Sequence, residues 1–382
     1  MTTTLPPAPA LLDRDWDVFA AFTPDLARYL RDTPVEQLEQ PDGAALLRFK
    51  EAGGPALAVP AEFGGFGATA EQMARVHRAM GSRAPSLAVA TMMHHLSIAT
   101  VIEATATGPE QEREAVAFLT ASGALIASGF SEGTPGGGSV FTPTARAVAS
   151  GDSYVLNGRK RPCSMARSMD IVLCSVAIEG RGRGVALVPA ETPGLQVNPF
   201  WASPVLRAAE SEELVLTDVV LPELAVVGHD SADPTGENER TGYIWFGVLT
   251  VASYLGMATA LLQRGLDSAR TPAAPFAAAV STLDTAWNAA LLVCREFDAG
   301  VRGAELSARV MHLRYALQDL LPKVGSDLVE ALGGMAFCGG FDVAYFAGCL
   351  HAFALHPPAR SSIADRLVDY HRTGSFTLPV PD

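Results

Sequence analysis

The chain has 382 residues, of which 48% are hydrophobic and 18% charged. That is enough apolar material for a large core and two to three domains, so wholesale disorder is excluded. The net charge of −13 gives a surface that repels phosphate backbones, which argues against a nucleic-acid partner.

Residues 1–12 are rich in Pro and Thr and are expected to fray. MTTTLPPAPA lacks a basic start followed by an apolar stretch, so no targeting segment is expected. Residues 13–120 read as helical. LARYLRDTPVEQLEQ, AALLRFKEA, EQMARVHRAMGS and SLAVATMMHHLSIATVIEA carry apolar residues at spacings of three and four. The pattern changes near Gly123. ALIASGF, TPTARAVAS, SYVLNGRK, DIVLCSVAI, RGVALVPA, GLQVNPFW and EELVLTDVVLP are short, rich in Val and Leu, and separated by turn residues, which predicts a β domain. From Gly242 onward helices are expected again: YIWFGVLTVASYLGMATALLQRGLDSA, TLDTAWNAALLVCREFDAG, SARVMHLRYALQDLLPKVGSDLVEALGG, AYFAGCLHAFALH stopped by Pro357 and Pro358, and SSIADRLVDYHRTG with Gly374 past its end.

Val248 to Leu262 comes closest to a membrane span but is short and interrupted by Ser253 and Gly256, so no membrane partner is expected. The five cysteines are scattered, with no CxxC pair. This fits reduced thiols in a cytoplasmic protein and gives no support for a metal site.

Six segments, in order, resemble those of the acyl-CoA dehydrogenase superfamily. They are Val59-Pro60 through Gly67, Ser131-Glu132-Gly133-Thr134-Pro135-Gly136-Gly137-Gly138, Asn157-Gly158-Arg159-Lys160, Pro162-Cys163-Ser164 followed by Asp170, LVLTDVVLP, and Glu330-Ala331-Leu332-Gly333-Gly334. The resemblance spans nearly the whole chain. It implies an α+β fold with an N-terminal helical domain (residues 1–122), a central β-barrel or sandwich domain (123–232) and a C-terminal four-helix bundle (233–382). It also implies FAD, or reduced flavin supplied by a reductase, lying against the β domain. Ser131 and Ser164 would then flank the flavin ring, with Ser164 a partner for N5. The glycines around Gly137 would let backbone approach a ligand. Gly333 and Gly334 would meet the nucleotide end across a homodimer or homotetramer interface. The bland alternative for Ser131 and Ser164 is strand-end turns, and for the glycine pair a helix cap.

The sequence also departs from the family pattern. The family's glutamate base stands either before a Gly-Thr in the loop preceding the last helix or on the long helix opening the bundle. The corresponding positions are His356-Pro357-Pro358-Ala359 and, near Phe246, YIWFGVLTV. Neither holds a carboxylate. Glu210, Glu212 and Glu213 are acids near in sequence, expected to be solvated. The Arg-x-x-Phe-Gly stretch that contacts the flavin pyrophosphate is shortened to Arg270-Thr271-Pro272-Ala273-Ala274-Pro275-Phe276. The His-Pro-Pro loop resembles the flavin monooxygenase branch, in which a histidine at this place serves oxygenation. His356 is thus a candidate catalytic residue with a pKa suited to neutral pH, or else a helix-end residue. His94, His95, Trp245 and Phe246 are candidate pocket walls, with Trp201 beside them. Packed core is the alternative for each. Arg207 and Ser211 read as structural, and His351 as surface.

The favoured expectation is oxygenation of a small or carrier-bound acyl substrate in a specialised pathway, with a flavin reductase or acyl carrier protein as possible partner. Two alternatives stay open. One is α,β-dehydrogenation of an acyl-CoA or acyl-carrier-protein thioester with an unlocated base. The other is a flavin-free lyase, cyclase or binding protein.

Overall fold

The computed structural model describes residues 11–105, 110–133, 142–228, 237–268 and 272–376. Seven helices come first: α1 (Asp13–Phe22), α2 (Pro24–Asp32), α3 (Val35–Leu38), α4 (Ala45–Glu51), α5 (Ala70–Gly81), α6 (Pro85–Thr105) and α7 (Glu110–Ala121). Among the described residues eight strands follow: β1 (Ile126–Gly129), β2 (Arg146–Ser150), β3 (Ser153–Cys163), β4 (Ile171–Ile178), β5 (Gly182–Pro189), β6 (Leu195–Asn198), β7 (Glu212–Pro222) and β8 (Val226–Gly228). Helices α8 (Glu237–Leu266), α9 (Ala273–Asp298), α10 (Ala304–Leu332), α11 (Gly334–Cys338), α12 (Phe341–Ala352) and α13 (Arg360–Thr373) come after the strands among the described residues.

Sheet order is β6-β7-β3-β2-β4-β5-β8, with β1 parallel to β4. β3 and β7 form a long antiparallel pair whose register is interrupted between Lys160 and Cys163. Interruptions of this kind bend a strand and re-aim its side chains, and this one lies just before Ser164. The inner strand faces close a core of their own around Leu156, Val172, Cys174, Val188 and Leu214. Lys160, fully buried in the sheet, pairs with Glu132 at 2.6 Å and donates to Ser175 at 3.0 Å. Glu132 also accepts from the backbone and hydroxyl of Thr144 and from the Ala145 amide. One carboxylate therefore ties the chain shortly after β1 to Thr144, just before β2, and to Lys160 of β3.

The helices before and after the β domain share a single core. At its centre is α8, which packs on α5, α6, α9, α10 and α12. By length and composition α6, α8 and α9 could each cross a bilayer, a property the sequence reading missed in α8 by counting its Ser and Gly as interruptions. The apolar surface of α8 is instead taken up by neighbouring helices. Glycines set how closely they approach. A Cβ on Gly256 would lie 2.1 Å from the Arg78 carbonyl oxygen, and one on Gly81 would lie 2.1 Å from that of Ser253. Helices α5 and α8 therefore cross backbone to backbone. On other faces of α8, Gly247 admits Val310 of α10 and Gly265 admits Phe276 of α9.

Polar pins join the layers. Asp15 of α1 receives Arg75 and Arg78 of α5 at 2.9 and 2.8 Å, and both guanidinium groups lie over Trp287 of α9. Lys50 of α4 reaches Asp170, at the edge of the β domain, at 2.7 Å. Glu39, next to α3, accepts from the amide and hydroxyl of Ser86 and from the Tyr345 hydroxyl on α12. The Tyr345 oxygen accepts in turn from the Leu206 amide at 3.0 Å. Burial raises the Glu39 carboxyl to about 7.

Candidate active site

The two places where a glutamate base was sought come together. Phe246 on α8 and His356 after α12 meet edge to face, with ring centroids 6.0 Å apart. Two turns along the same face of α8, the Tyr254 hydroxyl is 2.8 Å from His356 Nε2. Arg314 of α10 closes the group. Its Nη1 donates to the Pro357 carbonyl at 2.6 Å, its Nη2 donates to the His356 carbonyl, and its guanidinium lies 5.2 Å from the centre of the Phe246 ring. The Tyr315 hydroxyl donates to the Pro358 carbonyl. The His-Pro-Pro loop is thus held by its backbone from α10, which leaves the His356 ring to Tyr254.

Burial and, after it, the charge of Arg314 push His356 down to about 3. It is a neutral imidazole at physiological pH, well below the value expected for this residue type. Burial holds the Tyr254 hydroxyl protonated. No ion pair or hydrogen bond brings a carboxylate to this cluster among the described residues, so abstraction of a substrate α proton has no carboxylate base here.

Sequence reasoning missed Tyr254 and Arg314. Arg314 had a legible signal, because it sits in step with Val310, Met311, Leu317 and Leu321 on the buried stripe of α10. A cation on an apolar stripe is expensive unless it has work to do.

The other expected residues fall in different surroundings. His94 accepts from the Ile126 amide at Nδ1 (3.0 Å), and its Nε2 meets the Pro55 carbonyl (2.9 Å). Both ring nitrogens are spent on backbone, so it pins β1 to the N-terminal helices. His95 is fully buried, packed against Phe49, His77 and His94, with neither ring nitrogen bonded. Trp245 packs edge to face against Phe297. Trp201 donates from Nε1 to the Val205 carbonyl. His351 and Arg207 are exposed.

Glu210, Glu212 and Glu213 are all buried, contrary to the solvated placement expected. Glu212 caps the Phe200 and Trp201 amides, Glu213 pairs with Arg161 at 3.1 Å, and Glu210 accepts from Ser168. An acidic run normally marks a wet surface, but here the chain turns inward through two left-handed residues, Leu206 and Glu210.

On the β side, the Ser164 hydroxyl lies 3.0 Å from that of Ser211, and the Ser131 carbonyl accepts from the Arg161 amide at 2.8 Å. Ser164 is half-buried and its hydroxyl has Ser211 as its one recorded partner. A hydroxyl serves up to three hydrogen bonds, so capacity remains for a flavin ring atom. Gly333 has a positive φ of +83° that favours glycine, and a Cβ on it or on Gly334 would meet open space. These residues fit a flavin. Gly137 and Arg270 lie outside the described residues. A cavity of about 240 Å³ between α1, α5, α8 and α9, lined by Asp15, Arg78 and Trp287, is a separate feature from this cluster.

No family model matches the chain. It is similar to isobutylamine N-hydroxylase of Streptomyces viridifaciens, at 34% identity over 96% of this chain and 99% of that protein. It also matches a putative acyl-CoA dehydrogenase, YdbM, of Bacillus subtilis (strain 168), at 29% identity over 59% of this chain and 61% of the relative. The chain belongs to the flavin monooxygenase branch of the acyl-CoA dehydrogenase superfamily. The FMN-bound TdsC of Paenibacillus sp. A11-2 shares the fold, with a TM-score of 0.80, 20% identity, and coverage of 96% of this chain and 99% of that one. The protein is thus a flavin-dependent oxidoreductase without the superfamily's usual glutamate, as its sequence implied. The expectation of FAD is met at the level of a flavin cofactor.

Proposed function

We propose that this enzyme uses reduced flavin and dioxygen to hydroxylate the nitrogen of a small primary amine. The observation that carries this reading is the convergence of both base positions, Phe246 and His356, on a site with a neutral imidazole, a phenol and a guanidinium but no carboxylate. The 34% relationship to an amine N-hydroxylase along the full chain supports nitrogen as the atom attacked.

The overall change balances as amine, dioxygen and two-electron-reduced flavin giving hydroxylamine, water and oxidised flavin. Flavin bound against the β domain supplies the two electrons that let one oxygen atom leave as water. Ser164 would hold the flavin ring by a hydrogen bond from its hydroxyl, with Ser131 beside it. Tyr254 fixes the ring of His356, which orients the reacting groups by hydrogen bonding. Phe246 and the α8 face exclude water. The shortened stretch at Arg270 favours FMN over FAD, because it removes part of the family's pyrophosphate anchor. Gly333 and Gly334, which would meet the nucleotide end of a dinucleotide, would have no such contact to make with FMN, and a flavin reductase would deliver the cofactor reduced.

The test is turnover with NADH, a flavin reductase, FMN and ¹⁸O₂ across a panel of short alkylamines and acyl thioesters. A hydroxylamine carrying one labelled oxygen is expected. A desaturated thioester, or amine turnover without label, would overturn the reading.

A further inference from the structure

Arg314 is 2% exposed, yet its recorded hydrogen bonds run to the carbonyls of His356 and Pro357 and not to an acid. A buried guanidinium normally has a carboxylate beside it, since an unneutralised charge is costly to bury. Asp319 is 73% exposed and pairs with Arg360 at 3.0 Å. The other titratable groups around Arg314 are Tyr243 and Tyr254 on α8, Tyr315 on its own helix, Cys349 on α12, reached through Tyr254, and Arg360 on α13. Tyr254, Tyr315 and Cys349 are kept in their neutral, protonated forms by burial. Among the described residues, therefore, no carboxylate bonds to Arg314 to offset the positive charge it brings to the cluster at Phe246 and His356.

We propose that Arg314 is a specificity-determining residue, which makes this site bind an amine as the uncharged free base and exclude the ammonium ion. The inference rests on the oxygenation reading above and adds which protonation state of the substrate is admitted. A second cation brought near the guanidinium, with no anion to offset it, is disfavoured on the order of a hundredfold. The exclusion suits the chemistry. The new N–O bond is made from the nitrogen lone pair, which ammonium lacks. As it forms, the O–O bond breaks, and the displaced N–H proton leaves with the second oxygen as water. An ammonium ion in the site would only inhibit.

Binding to the FMN-reconstituted, oxidised enzyme tests this without turnover. Calorimetric titrations between about pH 7 and 10 would use a short branched primary amine, the alcohol of the same skeleton, and a trimethylammonium compound with its uncharged tert-butyl isostere. The alcohol should bind independently of pH, while the apparent affinity for the amine, with a pKa of about 10.4 and ammonium bound about a hundredfold more weakly, should stay nearly flat below about pH 8 and rise about sixfold between about pH 9 and 10. The trimethylammonium compound should bind about a hundredfold more weakly than its isostere. Arg314→Met should flatten the amine slope to under about threefold per unit, and Arg314→Lys should keep it. Equal affinity for amine at both ends of the range, equal binding of the two isosteres, an unchanged slope in Arg314→Met, or no binding of amine or alcohol at any pH would overturn the proposal. If Arg314→Met does not fold, the wild-type slope and the isostere pair still decide. Labelled hydroxylamine formed with pH-independent affinity removes this inference alone, whereas pH-dependent binding without label removes the oxygenation reading alone.

Discussion

Tyr254 and His356 form the smallest unit with a consequence for rate. With its cationic form suppressed by burial and by Arg314, the imidazole of His356 works as an oriented neutral group. The Tyr254 hydroxyl is its recorded side-chain hydrogen-bond partner. Tyr254→Phe is expected to lower the yield of hydroxylated product per NADH roughly tenfold, with little change in KM, because it loosens orientation and not binding. Product and peroxide assays on matched turnovers would show this, and unchanged coupling would refute the orienting role. At this scale the sequence was only partly readable. His356 stood out because Pro357 and Pro358 marked a loop where the family keeps a glutamate. Tyr254 gave no signal within a largely apolar helix, since its role depends on a partner 102 residues away. His94 and His95 looked like pocket walls because an apolar helix carried polar rings, but the structure spends the ring of His94 on two backbone groups.

Among the elements, α8 decides most. Its run of apolar residues predicts one long helix, and it is one. Sequence does not say which glycine meets which neighbour, because that depends on crossing angles fixed only when the core is assembled. Gly256 and Gly81 are where α5 and α8 touch through backbone, so no side chain can move aside. Gly256→Ala should cost about 3 kcal/mol or more, at the upper end of the range for overpacked cores. Chemical denaturation would measure it, and a loss under about 1 kcal/mol would mean the helices separate more easily than their packing implies. β8 escaped notice because three residues, Val226–Gly228, are too few to show alternation. Strands β3 and β7 were each legible from their Val and Leu content, but their pairing across the three intervening strands was not.

For the whole molecule, buried titratable groups set the response to acid. His77 and His94 are pushed down to about 3 and 4 by burial, and His95 lies well below its ordinary value. With His356 they make four imidazoles that are neutral when folded and protonate near 6.5 when unfolded. The unfolded chain binds more protons, so stability is fully present above about 6.5 and is lost as pH falls from there toward about 3. Glu39, raised to about 7, acts in the opposite sense, and its contribution fades as pH rises from about 4.5 to 7. Asp15 and Glu210, also raised by burial, act in the same sense as Glu39. Four imidazoles outweigh these three carboxyls, so thermal stability should climb between about pH 4.5 and 6.5, at up to about 1.4 kcal/mol per unit for each group in excess. Glu39→Gln should steepen that climb. A melting temperature flat across the range would show that these rings are charged in the folded state.

The clasp at Glu132 bears on how such a protein changes over generations. A single carboxylate receives both Lys160 of the sheet and Thr144, just before β2. Closing a loop grows costlier only slowly with its length, so residues can be gained or lost between Gly133 and Pro143 while Glu132 goes on joining Thr144 to Lys160. A lineage can change the length of that stretch without rebuilding the scaffold on either side of it.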